Sequence, residues 1–486
     1  MKKIIKTVVK SLVLLLAITS CQNARDITSV DSIISDNAFL GITDLQSSLN
    51  TSTLLYNASN VIGFSDRITD GVRIGVQSGG QNLGQIQKII TNATGFVDVL
   101  WTGRYRMITE INTFLPFAES FDASTPTEQE QVNSIIAQGL ALRALAHLDL
   151  MAHFSSGSSV NDFDVFAPDN LSVPITIDVD VNRQPRRATV AEMTEFITSE
   201  LDRASSLLGN PTDNNFVTQQ FITAVRSRLA IYTGNNAGAI AAATSLINQF
   251  PLANTTQYFN MFRDDTDQTE VIYNLVANQA AGASVGGQFF FLNSFGSHSE
   301  VSQDLINVLP LGDIRSNVVL DVADVVPGSG EDRIGKYLGR PGENGRNNVK
   351  IFRVSEQYLI RAEARARTGD LNGAAADIDA LVDARFGSDQ PTPSYGNLED
   401  AITDIILQRR IELAFEGHRY IDLRRTRDIT GNGIELDPSL GMNGESDDCG
   451  SRAVPCTIPV NDLRFSLPIT IDEIAGNPGI TQNPGY

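Results

Sequence analysis

Ionised side chains are concentrated between Ile405 and Arg425, in the segment IILQRRIELAFEGHRYIDLRR. Arg, Glu and Asp alternate there with Leu, Phe and Ile at three- and four-residue spacings, which places opposite charges on one surface of a helix. Acids and bases in such surroundings have shifted pKa values, as general acid–base catalysis requires, but structural ion-pair networks shift pKa values in the same way. The charges therefore predict either a catalytic site or a structural network.

The apolar residues among these charges favour the structural network. Leu413, Phe415 and Ile421 must be buried, and Arg or Glu is tolerated beside them only when it is paired and fully hydrogen-bonded. We therefore predict a structural clasp, in which Gly417 ends one helix and a second, short helix turns back. The clasp residues are Arg409, Arg410, Glu412, Glu416, Arg419 and Asp422.

The first 20 residues have the composition of an export signal. Four lysines precede an apolar core, Leu12 to Ile18, that is too short to span a bilayer. The sequence Ile-Thr-Ser-Cys that ends at Cys21 is similar to a lipobox, in which the cysteine thiol receives diacylglycerol. We expect residues 1–20 to be a lipoprotein signal peptide and Cys21 to be the lipid anchor, with ordinary secretion and an incidental cysteine as the alternative.

The charge of the chain restricts its partners. Removal of residues 1–20 takes away four lysines and no acid, which changes the formal net charge from −20 to −24. Nucleic acids and anionic lipid surfaces demand basic surface, so we expect neither as a partner. An acidic, dispersed protein is compatible with a neutral ligand, although charge alone names none.

The two remaining cysteines, Cys449 and Cys456, lie seven residues apart in CGSRAVPC. In an exported protein this spacing favours a small disulfide loop. A metal site would need further Cys or His ligands nearby, and none is present. No P-loop, dinucleotide fingerprint or nucleophile elbow appears either, so we expect no metal, no cofactor and no catalysis. A pair of acids acting as a glycosidase is not excluded by sequence.

An internal repeat indicates the architecture. The segments TGNNAGAIAAATSLI at 233–247 and TGDLNGAAADIDALV at 368–382 share Thr, Gly, Ala and Leu positions in register, and a helical segment precedes each. Two helix-turn-helix units of about this length are typical of tetratricopeptide repeats, which bury their apolar faces by stacking into a superhelix. We predict a mainly α fold, a tetratricopeptide-like helix-turn-helix superhelix with a loop-rich, irregular ligand-binding face. We expect one domain over 21–486, with helix pairs at 128–208, 217–249 and 355–386, clasp helices at 398–425 and a loop-rich insertion at 251–350.

Two loop-like segments are candidates for ligand contact. Residues 60–84 are rich in Gly, Asp, Asn and Ser, and residues 286–300 carry four Phe among Gly and Ser. One aromatic ring beside short polar groups is the mixture that a neutral sugar site uses, although an ordinary solvated loop has the same composition. The candidate residues are Phe64, Asp66, Arg67, Asp70, Arg73, Phe291 and Phe295.

Several motifs resemble one family along the chain. RRIELAFEGHRYIDLRR, the stripe of Trp101, Tyr105, Ile108 and Asn112, and the terminal Gln-Asn-Pro-Gly-Tyr are similar to the SusD/RagB family of nutrient-binding lipoproteins of Bacteroidetes. Gln408 departs from the pattern, since the family has a Glu before the two Arg.

The resemblance implies a function as well as a fold. It implies a non-catalytic protein of the outer membrane, facing the cell exterior, that captures oligosaccharides or polysaccharides and passes them to a SusC-like TonB-dependent transporter. Capture of peptides or glycoproteins, and a helical-repeat scaffold that binds only proteins, are the alternatives.

Overall fold

The structure is a computed structural model that describes residues 39–86, 88–180, 182–277, 284–321, 331–431, 433–435 and 457–486. The signal peptide, the lipid anchor at Cys21 and the Cys449–Cys456 disulfide lie outside these residues and stay predictions, as does the assignment of 21–486 to one domain.

Helices form the body of the protein. In chain order they are α1 (Ile42–Leu55), α2 (Ala58–Ile68), α3 (Leu83–Ile86), α4 (Gly95–Glu119), α5 (Pro126–Phe154), α6 (Val190–Leu207), α7 (Gln219–Tyr232), α8 (Asn236–Ile247), α9 (Thr255–Arg263), α10 (Gln303–Val308), α11 (Ile314–Val319), α12 (Val354–Arg367), α13 (Leu371–Phe386), α14 (Leu398–Glu412), α15 (Arg419–Thr430) and α16 (Ile471–Gly476).

The strands are short and pair antiparallel in twos. They are β1 (Val72–Ile74), β2 (Leu171–Pro174), β3 (Arg187–Thr189), β4 (Val271–Leu275), β5 (Ser299–Val301), β6 (Gly339–Arg340), β7 (Glu343–Asn344), β8 (Val349–Arg353), β9 (Ile434–Glu435) and β10 (Thr457–Ile458). The pairs are β1 with β5, β2 with β3, β4 with β8, β6 with β7 and β9 with β10.

Helix-turn-helix pairs stack as the repeat predicts. α5 packs along α6, α7 along α8, and α12 along α13, while α12 also packs against α8 and so joins two pairs. Gly234 and Gly369 follow the first helices of the two repeats in the left-handed region, with φ of 72° and 87°, where a residue with a Cβ is strained. The mainly α, tetratricopeptide-like architecture is therefore confirmed.

Helix α5 lies at the centre of the main core. Its first turn is capped by the Thr125 side chain, which accepts a hydrogen bond from the backbone N–H of Glu128. Among the described residues it is the one helix long and apolar enough to cross a membrane, yet nearly all of its apolar window is buried inside the protein. It contacts α1, α4 and α6, so its apolar character serves the core.

The interpretation of residues 60–84 as an exposed loop is wrong over its first half. Ala58 to Ile68 form α2, in which nine of the eleven residues are buried, and Val72 to Ile74 form β1. The polar residues that indicated a loop are tolerated in the interior because partners distant in sequence satisfy them, as the site geometry shows.

Candidate functional site

The clasp helices are separated by a tight turn. α14 ends at Glu412 and α15 begins at Arg419, and within the turn Phe415 and Gly417 have φ of 60° and 88°. Such φ values cost a non-glycine residue free energy, and Phe415 is held there by complete burial of its ring. The turn therefore folds the two charged helices back on each other.

Glu412 is the centre of the clasp. Its carboxylate oxygens accept from the Arg385 Nη2 and Nε at 2.9 and 3.0 Å, and Oε1 lies 2.5 Å from the Arg353 Nη1. Burial alone would raise the pKa of Glu412, but Arg385 and Arg353 outweigh it and hold the pKa well below its usual range. A second acid, Glu270, accepts from Arg385 Nη2 at 2.7 Å.

The other two acids of the clasp are also paired. Glu416 contacts Lys336 Nζ at 2.6 Å and Arg353 Nε at 2.8 Å. Burial would raise its pKa, but these cations outweigh it and lower the pKa to about 2. Asp422 contacts Arg409 Nε at 2.8 Å and Arg425 Nη2 at 2.9 Å.

Most of these ion pairs connect different elements, which differs from the expectation that opposite charges meet on one helical surface. Arg353 comes from the end of β8 and Arg385 from α13. Gln408, at the position where the family has a Glu, accepts from Arg315 Nη1 at 3.0 Å. Arg315 forms an ion pair with Asp313 at 2.6 Å. Its guanidinium therefore remains paired although position 408 carries no acid.

Asp70, predicted to bind ligand, instead pairs with the clasp. Its carboxylate lies 2.7 Å from Arg419 Nη2 and 3.3 Å from Arg410 Nη2. Burial alone would raise the pKa of Asp70, but Arg419 and Arg410 outweigh it and hold the pKa well below its usual range. These contacts leave Asp70 structural.

Asp66, another predicted ligand residue, is buried, and no cation of the described residues hydrogen-bonds to it. Its Oδ1 accepts from the backbone N–H of Phe415 at 3.4 Å, and its Oδ2 has no hydrogen-bond partner among the described residues. Burial raises the pKa of Asp66 to about 7. The side chain is 3% exposed and cannot contact a ligand in this structure.

Phe64 and Arg67 need the same correction. The Phe64 ring is 1% exposed and packs edge-on against Tyr420, with ring centroids 5.1 Å apart. The Arg67 guanidinium donates to the backbone oxygen of Gln288 at 2.8 Å and to the Gln85 side chain at 2.6 Å. Both residues lie on α2 and face the interior because that helix packs between the clasp and α4.

The remaining candidates, Arg73, Phe291 and Phe295, lie on or just below another surface. We call it the loop face, formed by residues 75–82 after β1 and the turn 291–296 before β5. Gly75 and Gln77 donate their backbone N–H groups to the oxygens of His298 and Ser297, each at 3.1 Å. A Cβ on Gly75 would lie 2.2 Å from the Ser297 oxygen, so only glycine permits this approach.

Phe291 is the exposed aromatic of the loop face. Its ring is 36% exposed and meets the His298 ring edge-on, with centroids 5.4 Å apart. Burial lowers the pKa of His298, so this imidazole is neutral at physiological pH. Phe295 is half-buried at φ 56° and stacks on Phe290 at 5.4 Å.

Charged groups of the loop face are neutralised below its surface. Arg73 pairs with Glu300 at 3.0 Å and with Asp332 at 2.5 Å. The exposed side chains on the two loops include Val76, Gln77, Gln81 and Asn293, on the same face as Phe291. An aromatic ring among carboxamides can pack against an apolar face of a ligand and hydrogen-bond its polar edge.

Of the predicted ligand residues, the structure therefore places Phe291 and Phe295 on the loop face and Arg73 in the ion pairs below it, and it buries the others. Sequence reasoning missed Gln77 and His298, which orient this surface. Gln77 Nε2 donates to Glu331 Oε1 at 2.6 Å, a pairing across 254 residues that no local pattern indicates.

Two family profiles match the chain. The SusD family matches residues 338–486, and a family described as "Starch-binding associating with outer membrane" matches residues 66–232. The SusD-like protein P2 of Formosa agariphila is 30% identical over 168 residues, 31% of this chain and 29% of that protein. SusD-like protein P38 of the same species is 27% identical over 176 residues, so each aligned part spans less than a third of these relatives.

Solved structures are similar over almost the whole chain. A SusD superfamily protein from Bacteroides thetaiotaomicron has a TM-score of 0.75 at 23% identity, covering 92% of this chain and 100% of that one. A protein named as a sugar binding protein from Bacteroides vulgatus has a TM-score of 0.76 at 22% identity over 92% and 99%. Surface glycan-binding protein A from Bacteroides fluxus has a TM-score of 0.68 at 16% identity over 91% and 99%. At these identities the likeness is one of fold.

Proposed function

The chain belongs to the SusD/RagB family, and from that premise we propose that it binds oligosaccharides or polysaccharides without catalysis. In this proposal a lipid on Cys21 holds the protein at the outer membrane, facing the exterior, and a SusC-like TonB-dependent transporter receives the ligand.

The observation that carries the proposal is the Phe291 ring on the loop face. A pyranose ring presents C–H groups on one face and hydroxyls at its edge. A partly exposed phenyl ring on the same loop face as the exposed carboxamides of Gln77, Gln81 and Asn293 complements both features. The printed names of the sugar-binding and glycan-binding structural relatives agree with this ligand class.

The buried acids support the absence of catalysis in the proposal. Glu412, Glu416 and Asp422 have strongly lowered pKa values, yet their side chains are at most 3% exposed. A general acid or base must come within hydrogen-bond reach of its substrate. Their shifted pKa values are therefore accounted for by the ion pairs of the clasp.

Affinity electrophoresis tests the proposal. The mature protein is run through gels containing starch, laminarin, xylan, galactomannan or an acidic polysaccharide. We expect one or more polymers to retard the wild type and Phe291→Ala to lose most of that retardation. Leu311→Ala is the matched control, because Leu311 is an almost fully exposed apolar residue outside the loop face. If no polymer retards the wild type, the proposal is wrong; if Phe291→Ala is retarded equally, the loop face is not the site.

The transporter partner has its own test. The protein is purified from membranes with a C-terminal tag in mild detergent, and copurifying proteins are identified by mass spectrometry. We expect one TonB-dependent transporter in stoichiometric amount, and its absence would remove the delivery step from the proposal.

A further inference from the structure

A cavity of about 560 Å³ lies between α1, α5, the segment 215–217 and strand β4. Its volume falls in the range of about 300–1,000 Å³ that is typical of small-molecule sites. None of the loop-face residues lines it, so the cavity is a separate feature of the molecule.

The wall of the cavity is uncharged. None of the described residues that line it is Asp, Glu, Lys, Arg or His, in a chain with a formal net charge of −20. Its polar groups are mainly carboxamides, which both donate and accept hydrogen bonds, as sugar hydroxyls also do. The carboxamides belong to Asn50, Asn57, Gln138, Asn215, Asn274 and Asn347.

One of these carboxamides has an unused acceptor. Asn274 is 1% exposed, and its Nδ2 donates to Asn215 Oδ1 at 3.3 Å. Its Oδ1 has no hydrogen-bond partner among the described residues. At 1% exposure Asn274 belongs to the structure of the wall, and a ligand hydroxyl meets instead the exposed carboxamides of Asn50 and Asn57.

Apolar groups form the rim. Leu54, Phe216 and Val276 line the cavity and are each about half exposed. Exposed apolar side chains that meet at one opening are typical of binding surfaces. Together with the carboxamides they complement a ligand that has C–H faces and hydroxyls but no charge.

A peptide that adds a strand to β4 fits less well. The backbone N–H of Asn274 already donates to the Asn214 oxygen at 2.9 Å, and Asn214 Nδ2 donates to the Val271 oxygen at 3.1 Å. The other edge of β4 pairs with β8. Backbone groups that a bound peptide strand would need are therefore occupied along Val271–Asn274.

We propose that this cavity is a second binding site, which takes a neutral oligosaccharide. The choice of a saccharide rests on the proposed function, whereas the location and the requirement for an uncharged ligand follow from the lining of the cavity itself. Binding would place hydroxyls against the carboxamides of Asn50 and Asn57 and a C–H face against Phe216.

Isothermal titration calorimetry tests the site with maltohexaose, laminarihexaose, xylohexaose and mannohexaose. Asn50→Leu removes an exposed carboxamide of the lining at similar side-chain volume, and Phe216→Ala removes the largest apolar side chain of the rim from a half-exposed position where folding is little affected. We expect the wild type to show two classes of binding, one at the loop face, which depends on Phe291, and one at the cavity. Either change should weaken the class at the cavity by about tenfold or more. Leu311→Ala serves as the control and should leave both classes of binding unchanged.

Each outcome decides the proposal. Loss of one binding class in Phe216→Ala, with the melting temperature and the Phe291-dependent class unchanged, supports the cavity. Unchanged titrations in Phe216→Ala, with binding that depends on Phe291, overturn the cavity site and leave the proposed function standing. If none of the four hexasaccharides binds the wild type, the neutral-saccharide site is overturned; retardation by another polymer in the gels would still uphold the proposed function.

Discussion

Glu412 and Arg385 form two hydrogen bonds, of 2.9 and 3.0 Å, although 27 positions separate them in the chain and neither side chain is exposed. Arg385 also reaches Glu270, and Glu412 also reaches Arg353. The pair therefore joins α13 and α14 to β8 and to the segment before β4. The clasp connects the helical repeats with the strand region, rather than stabilising one helix.

Replacement of Glu412 by Gln should destabilise the protein strongly. The variant leaves the buried Arg353 and Arg385 with less compensating charge, which costs about 3–5 kcal/mol in comparable pairs. The measurement is urea denaturation at pH 7. Asp202→Asn is the matched control, because the Asp202–Arg226 pair is also short, at 2.7 Å, but exposed, and exposed pairs contribute about 1 kcal/mol or less. Equal losses in the two variants would show that burial does not set the strength of the clasp.

Asp66→Asn should stabilise the protein at alkaline pH. The folded-state pKa of Asp66 is raised to about 7 by burial, above an unfolded value of about 3.9. The folded protein therefore holds a proton that the unfolded chain releases, and the wild type loses stability as pH rises from about 4 to 7. The variant does not titrate, so its advantage should grow by about 1–3 kcal/mol between pH 5 and pH 8. Urea denaturation at both pH values measures it, and a constant difference would contradict an ionising Asp66.

Asp70→Asn, four positions further on, should behave in the opposite way. Because Arg419 and Arg410 lower the folded-state pKa of Asp70, the ionised group stabilises the protein above the unfolded pKa, and this contribution is lost as pH falls through the folded pKa. We expect the variant to lose about 2–4 kcal/mol at pH 7 and progressively less below about pH 4. A loss that stays the same at pH 3 would indicate that packing, and not charge, is responsible.

Phe64→Ala should reduce stability without removing ligand binding, contrary to what the sequence indicates. The ring lies in the core, 5.1 Å from Tyr420 and 5.7 Å from Phe96 between centroids, and truncation of a buried Phe costs about 3–5 kcal/mol. The melting temperature measures the loss, and gel retardation well below that temperature measures binding. Loss of binding by a variant that remains folded would return Phe64 to the ligand site.

The contrast between Phe64 and Phe291 shows what local sequence can predict here. The helix pairs were predictable because Gly234 and Gly369 mark the same turn in two repeats, and a turn is a local feature. The buried state of Asp66, Arg67 and Asp70 was not, because each has a partner more than 200 positions away in the chain. The same composition describes a solvated loop and a polar helix whose partners come from elsewhere.

Gly75→Ala should separate the geometry of the loop face from its composition. The new methyl group would lie 2.2 Å from the Ser297 oxygen, so the two loops must move apart and the hydrogen bonds of Gly75 and Gln77 weaken. Forced packing of this kind costs about 1–3 kcal/mol. Gly84→Ala is the control, since nothing lies within 4 Å of its Cβ position and its φ is not positive. We expect Gly75→Ala to weaken polysaccharide retardation although Phe291 and every carboxamide remain, and Gly84→Ala to bind as the wild type does. Full retardation of Gly75→Ala would mean that the ligand does not contact both loops at once.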